Sequence, residues 1–261
     1  MEKMKIGIIG SEGYVGKAVY SLFKDHYEIV AKDKEGDYSK INECYLGVVC
    51  VPTPMKEDRS CDTSIVEEII QNLKTPLILI KSTIPPQFTE YLKLIYKKRI
   101  VFSPEYSGQS SYWQPYKFGI DMKECPFVIL GGDSKDTKEI IDILTPVLGP
   151  TKFYYQVSST EAEIIKYMEN TFFATKIIFV NEFKNICDAF GADFYKVREG
   201  WLLDPRINKM HTMVFKEKPG FSGKCLPKDI NAIVKACEGK DYNPKLLKEV
   251  ISSNERFKNE K

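Results

Sequence analysis

The sequence of 261 residues lacks the features that mark several classes of protein. Its seven cysteines are odd in number, scattered and without a Cys-x-x-Cys pair, which argues against a disulfide framework and a zinc site and predicts reduced thiols. No apolar run approaches the roughly 20 residues of a membrane-spanning helix, and the N-terminal residues have no secretory-signal pattern. We therefore expect a soluble, cytoplasmic protein without a metal centre.

An excess of charge of one sign is also missing. The 38 Lys and Arg residues stand against 36 Asp and Glu residues, which leaves a net charge of +2. No basic field argues for nucleic acid as a partner, and no acidic excess argues for disorder. The length suits one large or two modest domains, and such a chain can bury a core without disulfide bonds.

The first half of the sequence alternates apolar runs with helical patterns. Short Val- and Ile-rich runs, typical of strands buried on both faces, occupy 4–10, 27–33, 46–51, 77–80, 99–102 and 127–131. Amphipathic spacing between several of them predicts right-handed crossovers and a mostly parallel sheet of the α/β class. We expect this Rossmann-type domain to cover residues 1–157.

The second half is predicted to be all helical. A long helix is expected from about Ser159 to Gly191, because apolar residues recur at helical spacing and no other glycine or proline interrupts them. Shorter helices are expected near 193–200, 229–238 and 244–258. This second domain is assigned to residues 158–261.

A glycine-rich turn follows the first predicted strand, with Gly10, Gly13 and Gly16 at intervals of three. Glycines there let backbone N–H groups approach a pyrophosphate at the N-terminus of the next helix. Asp33 ends the second strand, where a carboxylate accepts ribose hydroxyl groups and repels a 2′-phosphate. A packing turn and an ordinary polar residue are the plainer interpretations of each alone, but their combination favours NAD as a cofactor.

Three later strands run into short turns that carry hydroxyl or acidic side chains. These turns are Val51-Pro52-Thr53-Pro54, Ser82-Thr83-Ile84-Pro85 and Ser103-Pro104-Glu105. Because ligands bind beyond the carboxyl ends of parallel strands, the three turns predict one rim of a site. Each alone is equally typical of a proline-stiffened turn with a capping hydroxyl group.

One face of the long predicted helix carries polar side chains. Lys166 and Asn170 are four residues apart and therefore share a face, and Glu163 lies on the same side. A lysine at such a position is usually solvated, but the apolar neighbours indicate a partly covered helix. We therefore treat Lys166 as a candidate functional residue.

The stretch from Pro219 to Asp229 carries the strongest chemical signal. Cys225 lies in a glycine-rich loop just before a predicted helix, where the helix N-terminus and the neighbouring lysines would favour a thiolate. Asp229 follows one helical turn later and could act as a base or orient a water molecule. A half-buried cysteine and a helix-capping aspartate are the structural alternatives.

Taken in order, these motifs resemble a known family. The segments that carry the resemblance are 13–16, 49–54, 82–86, 103–105, Lys166 with Asn170, 181–182, 204–207 and 220–229. Over nearly the whole chain they resemble the UDP-glucose/GDP-mannose 6-dehydrogenase family. The resemblance implies oxidation of a nucleotide-sugar C6 alcohol to the carboxylate, UDP-glucose to UDP-glucuronate being the expected case. Two hydride transfers to NAD, a cysteine thiohemiacetal, a thioester and a place in polysaccharide biosynthesis are implied with it.

The resemblance also implies site residues. The implied catalytic set is Cys225, Lys166, Asn170, Asp229, Glu105 and Thr83. The implied NAD site is Gly10, Gly13, Tyr14, Val15, Gly16, Asp33, Pro52, Thr53, Thr83 and Lys228. The implied substrate-binding set is Glu105, Lys166, Asn170, Arg206, Phe221 and Gly223. The partners expected are a nucleotide sugar and a second copy, in a homodimer through the long helix in which Arg206 reaches across.

The sequence departs from the family at four points. The stretch after Asp33 is shorter than usual, Arg206 is slightly farther than usual from Cys225, and Gln109 stands where the family often has a second acid. The sequence also ends about 32 residues after Asp229, so we expect the family's third domain, which grips the uridine diphosphate, to be missing. Two alternatives therefore stay open. One is a two-electron NAD dehydrogenase of the 6-phosphogluconate/hydroxyacid superfamily, which needs no cysteine. The other is a truncated, non-catalytic nucleotide-binding subunit.

Overall fold

The computed structural model describes residues 3–33, 37–106 and 122–259. The chain divides into two compact units. The first comprises Met1–Pro54 and Cys61–Lys166, and the second comprises Met55–Ser60 and Tyr167–Lys261. This division falls after Lys166. The domain boundary expected between residues 157 and 158 stays a prediction.

A single sheet organises the described part of the first unit. Its strands are β1 (Lys5–Ile9), β2 (Glu28–Lys32), β3 (Leu46–Val49), β4 (Leu77–Ile80), β5 (Ile100–Phe102), β6 (Phe127–Gly131) and β7 (Phe153–Val157). The spatial order is β2-β1-β3-β4-β5-β6-β7. Neighbouring strands are parallel except for β5 and β6. The prediction of a mostly parallel, Rossmann-type sheet is confirmed.

Helices cover both faces of this sheet. They are α1 (Tyr14–Phe23), α2 (Ser39–Asn42), α3 (Ser64–Asn72), α4 (Phe88–Tyr96) and α5 (Ser134–Leu148). The central strands β3, β4 and β5 are apolar throughout because both of their faces are buried. In β1, Ile6 and Ile8 belong to one core cluster, and the next residue, Ile9, belongs to the other. Side chains alternate between the faces of a strand, which explains continuous apolar runs in place of an apolar–polar alternation.

The strand order also locates the ligand side of the sheet. The chain moves from β1 to β2 on one side and then crosses back to β3 on the other side of β1, so the direction of strand addition reverses at β1. In open α/β sheets ligands bind beyond the carboxyl ends of the strands at such a reversal. Gly10 follows β1 directly and therefore lies at this point.

The second unit is helical, as the sequence predicted. It holds most of α6 (Ser159–Ala189), followed by α7 (Phe194–Trp201), α8 (Leu226–Glu238) and α9 (Lys245–Asn259). Ala174 and Ile178 of α6 pack with Ile230 of α8 and with Val250 and Phe257 of α9 in one apolar cluster. Among the residues that the structure describes, no helix is both long enough and apolar enough to cross a membrane.

Candidate active site

The glycine turn after β1 is closed so tightly that two of its positions exclude a side chain. Gly10 has a φ of +82°, and a Cβ there would lie 2.7 Å from the carbonyl oxygen of Cys50. A Cβ on Gly16 would lie 2.0 Å from the carbonyl oxygen of Gly10. Gly13 caps α1 without a side-chain hydrogen bond. The first N–H groups of a helix have no partner within it, so the start of α1 presents donors suited to a phosphate group.

The end of β2 is tied to this turn. The N–H groups of Gly10 and Ser11 both donate to the carbonyl oxygen of Lys32, at 2.9 and 3.2 Å. Asp33 follows Lys32 and is exposed. A phosphate cradle with a carboxylate at the end of the neighbouring strand is the arrangement that an NAD molecule requires. The residues present therefore fit the cofactor that the sequence predicts.

The turns after β3 and β4 are joined by buried hydroxyl groups. Thr53 donates from Oγ1 to the carbonyl oxygen of Thr83 over 2.6 Å, and Ser82 donates from Oγ to that of Val51 over 2.7 Å. Thr53 and Ser82 are buried, Thr83 is half-buried and Pro52 is exposed. The structure thus brings the predicted residues of these two turns together at the carboxyl edge of the sheet.

Glu105 is held by a lysine that the sequence analysis did not single out. Lys81, the residue after β4, lies 3.2 Å from Glu105 between Nζ and Oε2, and both side chains are only 12% exposed. Lys81 Nζ also approaches Ser103 Oγ and the carbonyl oxygen of Pro104, each at 3.4 Å. The ends of β4 and β5 are therefore connected through one ammonium group. Lys81 directly precedes the Ser82-Thr83 turn in the sequence, and this position was the signal that could have identified it.

Lys166, on the first turns of α6, is buried rather than solvated. The residue is 8% exposed, and Nζ lies 4.7 Å from the centre of the Tyr106 ring. A ring face attracts a cation, which helps to offset the loss of hydration. Gln109, three residues beyond Tyr106, lies outside the described part of the chain.

Glu163, placed by the sequence on the same side as Lys166, proves to be a partner of α4. Its carboxyl group accepts hydrogen bonds from the N–H groups of Gln87 and Thr89, at 2.6 and 2.8 Å, and from Thr89 Oγ1 at 2.6 Å. It thereby replaces the side-chain cap that the start of α4 lacks. Burial raises the pKa of Glu163 to about 7, against the opposing effect of these hydrogen bonds.

In the second unit, three predicted residues form a buried polar cluster. Asn170 of α6 donates from Nδ2 to Asp229 Oδ2 of α8 over 2.5 Å. Lys228 Nζ pairs with the other oxygen, Asp229 Oδ1. Asn170 and Asp229 are 7% and 1% exposed. The contact of Lys228 is therefore with Asp229, while its predicted role toward NAD stays a prediction.

Cys225, at the start of α8, has an exposed side chain. It immediately precedes Leu226, the first residue of α8, and its carbonyl oxygen accepts the N–H of Asp229 at 2.8 Å. The thiol of Cys225 is open to solvent. Cys50, by contrast, is buried, and burial raises the pKa of its thiol to about 12. The structure thus separates Cys225 from the buried, structural cysteines.

The remaining predicted substrate residues differ in surroundings. Arg206 is exposed and its guanidinium pairs with Asp204, two residues earlier. Gly223 has a φ of +87°, and the position that a Cβ would occupy there is open space. The Phe221 side chain is 3% exposed and packs in the apolar cluster of α6, α8 and α9. Any contact of Phe221 with a ligand would therefore come from its main chain.

Solved structures share this fold. A UDP-glucose dehydrogenase from Pyrobaculum islandicum superposes with a TM-score of 0.82 at 21% identity, covering 98% of this chain and 68% of that one. A 3-hydroxyisobutyrate dehydrogenase from Mycobacterium tuberculosis gives a TM-score of 0.71 at 13% identity, covering 98% of this chain and 94% of that one. At such identities the likeness extends to the fold alone.

Sequence relatives are more specific. The UDP-glucose 6-dehydrogenase of Rickettsia bellii (strain RML369-C) is 32% identical over 212 residues, which are 79% of this chain and 48% of the relative. UDP-glucose 6-dehydrogenase TuaD of Bacillus subtilis (strain 168) is 31% identical over 80% of this chain and 46% of its own length. The chain therefore spans about half the length of the curated relatives it matches.

Family models match both halves of the chain. Residues 33–145 match the NAD binding domain of the UDP-glucose/GDP-mannose dehydrogenase family, and residues 160–256 match the central domain of the same family. The first match begins at Asp33, so the glycine turn is an independent indication of the same cofactor. The chain belongs to the UDP-glucose/GDP-mannose dehydrogenase family and contains its NAD-binding domain.

Proposed function

We propose that this chain oxidises the C6 alcohol of a nucleotide sugar, UDP-glucose in the first instance, to the carboxylate with NAD as the oxidant. The observation that carries the proposal is the exposed Cys225 at the start of α8, next to the buried Asn170–Asp229–Lys228 cluster. Family membership supports it, and so do relatives named as UDP-glucose 6-dehydrogenases.

The NAD site proposed here uses the residues of the carboxyl edge of the sheet. Gly10, Gly13 and Gly16, with the first turn of α1 at Tyr14 and Val15, would hold the pyrophosphate, and Asp33 would accept the ribose hydroxyl groups. Pro52, Thr53 and Thr83 would lie along the remainder of the cofactor. When bound, NAD accepts the hydride that leaves C6 in each of the two oxidations.

The proposed chemistry of Cys225 begins with the aldehyde. The thiolate adds to its carbon and the oxygen takes up a proton, which gives a thiohemiacetal. Loss of a hydride from that carbon and of the hydroxyl proton leaves a thioester. Water then adds to the thioester carbon and the C–S bond breaks, which releases the carboxylic acid and returns the thiol.

We assign the other residues to the stabilisation of the charges that form during these reaction steps. Each addition to a carbonyl carbon places negative charge on oxygen, and an ammonium group with an amide donor stabilises such an oxygen. We assign Lys166 and Asn170 to this task and Asp229 to the proton transfers of water. Glu105 and Thr83 are assigned to assistance of the hydrolysis. Arg206 and Gly223 are assigned to the substrate.

A second copy of this chain is proposed as a partner. The second-unit part of α6 exposes several large apolar side chains, namely Met168, Phe172, Phe179, Phe183 and Ile186, and Phe190 directly after the helix is exposed as well. Contiguous apolar exposure of this kind marks interaction sites. A homodimer through α6 would cover these side chains, and the molar mass from light scattering measures it.

The proposed function is tested by NADH formation from UDP-glucose, GDP-mannose and related nucleotide sugars. The protein should reduce NAD with at least one of them. Cys225→Ser should abolish formation of the acid, whereas Cys237→Ser, at a half-buried cysteine of the same helix, should leave it unchanged. Absence of NADH with every sugar, or an acid-forming Cys225→Ser variant, contradicts the proposal.

A further inference from the structure

The loop that carries Cys225 is anchored by two buried asparagines from different helices. We define the cysteine loop as residues 219–225. Gly220 donates its N–H to Oδ1 of Asn181 on α6 at 3.1 Å, and Phe221 donates its N–H to Oδ1 of Asn254 on α9 at 2.7 Å. Asn181 and Asn254 are 3% and 5% exposed. Two consecutive N–H groups of the loop are therefore held by side chains that solvent does not reach.

Gly220 is fitted to this anchor. Its φ is +73°, and a Cβ on it would lie 2.4 Å from Asn254 Oδ1. Gly223 in the same loop also has a positive φ, +87°, but no atom lies within 4 Å of its Cβ position. Both glycines adopt a backbone conformation that other residues rarely adopt. Only Gly220 must also lack a side chain to make room for the asparagine oxygen.

Packing and charge hold the two anchoring helices beside each other. The Phe221 side chain lies in the same apolar cluster as Ile178 of α6 and Phe257 of α9. Glu182, next to Asn181, pairs with Arg256 of α9 at 2.7 Å. Asn181 Nδ2 is engaged with the carbonyl oxygen of Ile177 one turn earlier, which leaves its Oδ1 directed at the loop. The Asn181 oxygen is therefore held toward the loop, and the helices that carry the two asparagines are packed against each other.

We propose that Asn181 and Asn254 are positioning residues that fix the main chain of the cysteine loop and thereby hold Cys225 in one orientation at the start of α8. Asn181 and Asn254 supply acceptors to two N–H groups of the loop. Without these acceptors, each buried N–H group would cost free energy comparable to a lost hydrogen bond. The anchor stands on the hydrogen bonds alone, whereas its catalytic consequence rests on the proposed function.

The first test is a double-mutant cycle on unfolding in urea. Gly220→Ala should destabilise the protein more than Gly223→Ala, which adds strain without a clash. In an Asn254→Ala background Gly220→Ala should lose the part of its destabilisation that comes from the clash with the asparagine oxygen. The two substitutions should therefore be coupled by roughly tenfold in the unfolding equilibrium constant. Additive effects of Gly220→Ala and Asn254→Ala would show that the oxygen and the glycine do not meet, and would overturn the anchor.

The second test measures the anchor and its consequence separately. Amide exchange at Phe221 should accelerate about tenfold or more in Asn254→Ala, stay slow in Asn254→Asp, which keeps an acceptor oxygen, and stay slow in Ser253→Ala, whose hydroxyl bonds Glu249 within α9. Asn181→Ala should accelerate exchange at Gly220 in the same way. Unchanged exchange in both alanine variants contradicts the proposal.

The catalytic readout completes the test. Asn254→Ala should lower kcat with UDP-glucose by about 10- to 100-fold through misplacement of the thiol, while KM for NAD changes little. Asn254→Asp should restore part of kcat. Altered exchange with an unchanged kcat overturns the positioning role. If the wild-type protein oxidises no nucleotide sugar, the proposed function fails, and the amide exchange and the double-mutant cycle still decide whether the anchor exists.

Discussion

Asn170 Nδ2 lies 2.5 Å from Asp229 Oδ2, and the two side chains are 7% and 1% exposed. The hydrogen bond joins α6 to α8, 59 residues apart along the chain. Because Asp229 also pairs with Lys228, its two oxygens have different partners. A buried carboxyl group satisfied in this way is costly to disturb at either partner.

Replacing the amide at this position should destabilise the protein. Asn170→Leu keeps the volume but removes the donor to Asp229, so we expect a loss of about 1–3 kcal/mol in the free energy of unfolding. Asn231→Leu, in which a half-buried amide loses its bond to the Pro227 carbonyl, should cost less. Urea unfolding of both variants measures the difference. Equal losses would mean that the hydrogen bond to Asp229 contributes no more to stability than the hydrogen bond to the Pro227 carbonyl.

Glu163 should make stability depend on pH. Burial raises its pKa from 4.5 to about 7, so the folded protein binds more protons than the unfolded chain between these values. The free energy of unfolding should therefore fall as pH rises from about 4.5 to 7, by at most about 3 kcal/mol. Glu163→Gln removes the titrating group, and its unfolding curves at pH 5, 6, 7 and 8 should differ less. A pH dependence that survives the substitution unchanged refutes this assignment.

Asp33 should determine the choice between NAD and NADP. Its carboxylate, exposed at the end of β2, would repel a 2′-phosphate. Asp33→Ser should therefore raise the affinity for NADP relative to NAD by roughly tenfold or more, measured by titration of each cofactor. Asp37→Ser is the control, because the Asp37 carboxyl group accepts bonds from Ser39. An unchanged cofactor ratio in Asp33→Ser would place the ribose elsewhere.

The glycine turn offers a matched pair of substitutions. A Cβ on Gly16 would meet the Gly10 carbonyl oxygen at 2.0 Å, whereas a Cβ on Gly13 would stay 3.3 Å from the same atom. Gly16→Ala should therefore cost about 1–3 kcal/mol or prevent folding, while Gly13→Ala should be tolerated. Thermal unfolding of both variants, with NAD titration of those that fold, checks this. Equal tolerance would mean that the turn is looser than described.

The sequence predicted every described strand except the edge strand β7. Runs such as Leu77–Ile80 are buried on both faces and so are apolar at every position. β7 (Phe153–Val157) was not predicted because Phe153 and Tyr155 are exposed at the edge of the sheet and no continuous apolar run arises, whereas the other edge strand, β2, keeps the apolar run 29–31. The antiparallel pairing of β5 with β6 likewise depends on partners that no local pattern specifies.

The candidate site shows the same difference between local and distant information. Cys225 and the Lys166–Asn170 pair could be proposed as candidates from local spacing, because a helix turn or a glycine loop fixes their setting. The roles of Glu163 and Asn254 could not, since their partners lie 74 and 33 residues away. Lys81 stood beside a predicted turn, yet its ion pair with Glu105 requires the neighbouring strand β5. Only the folded sheet brings Lys81 and Glu105 together.

The number of NADH molecules formed per molecule of UDP-glucose consumed tests the account most directly. A cysteine that carries the aldehyde to the thioester requires two hydride transfers, so the protein should form two NADH for each UDP-glucuronate, with no acid from Cys225→Ser. One NADH per sugar, with an aldehyde or ketone as the final product and the same yield from Cys225→Ser, would contradict it.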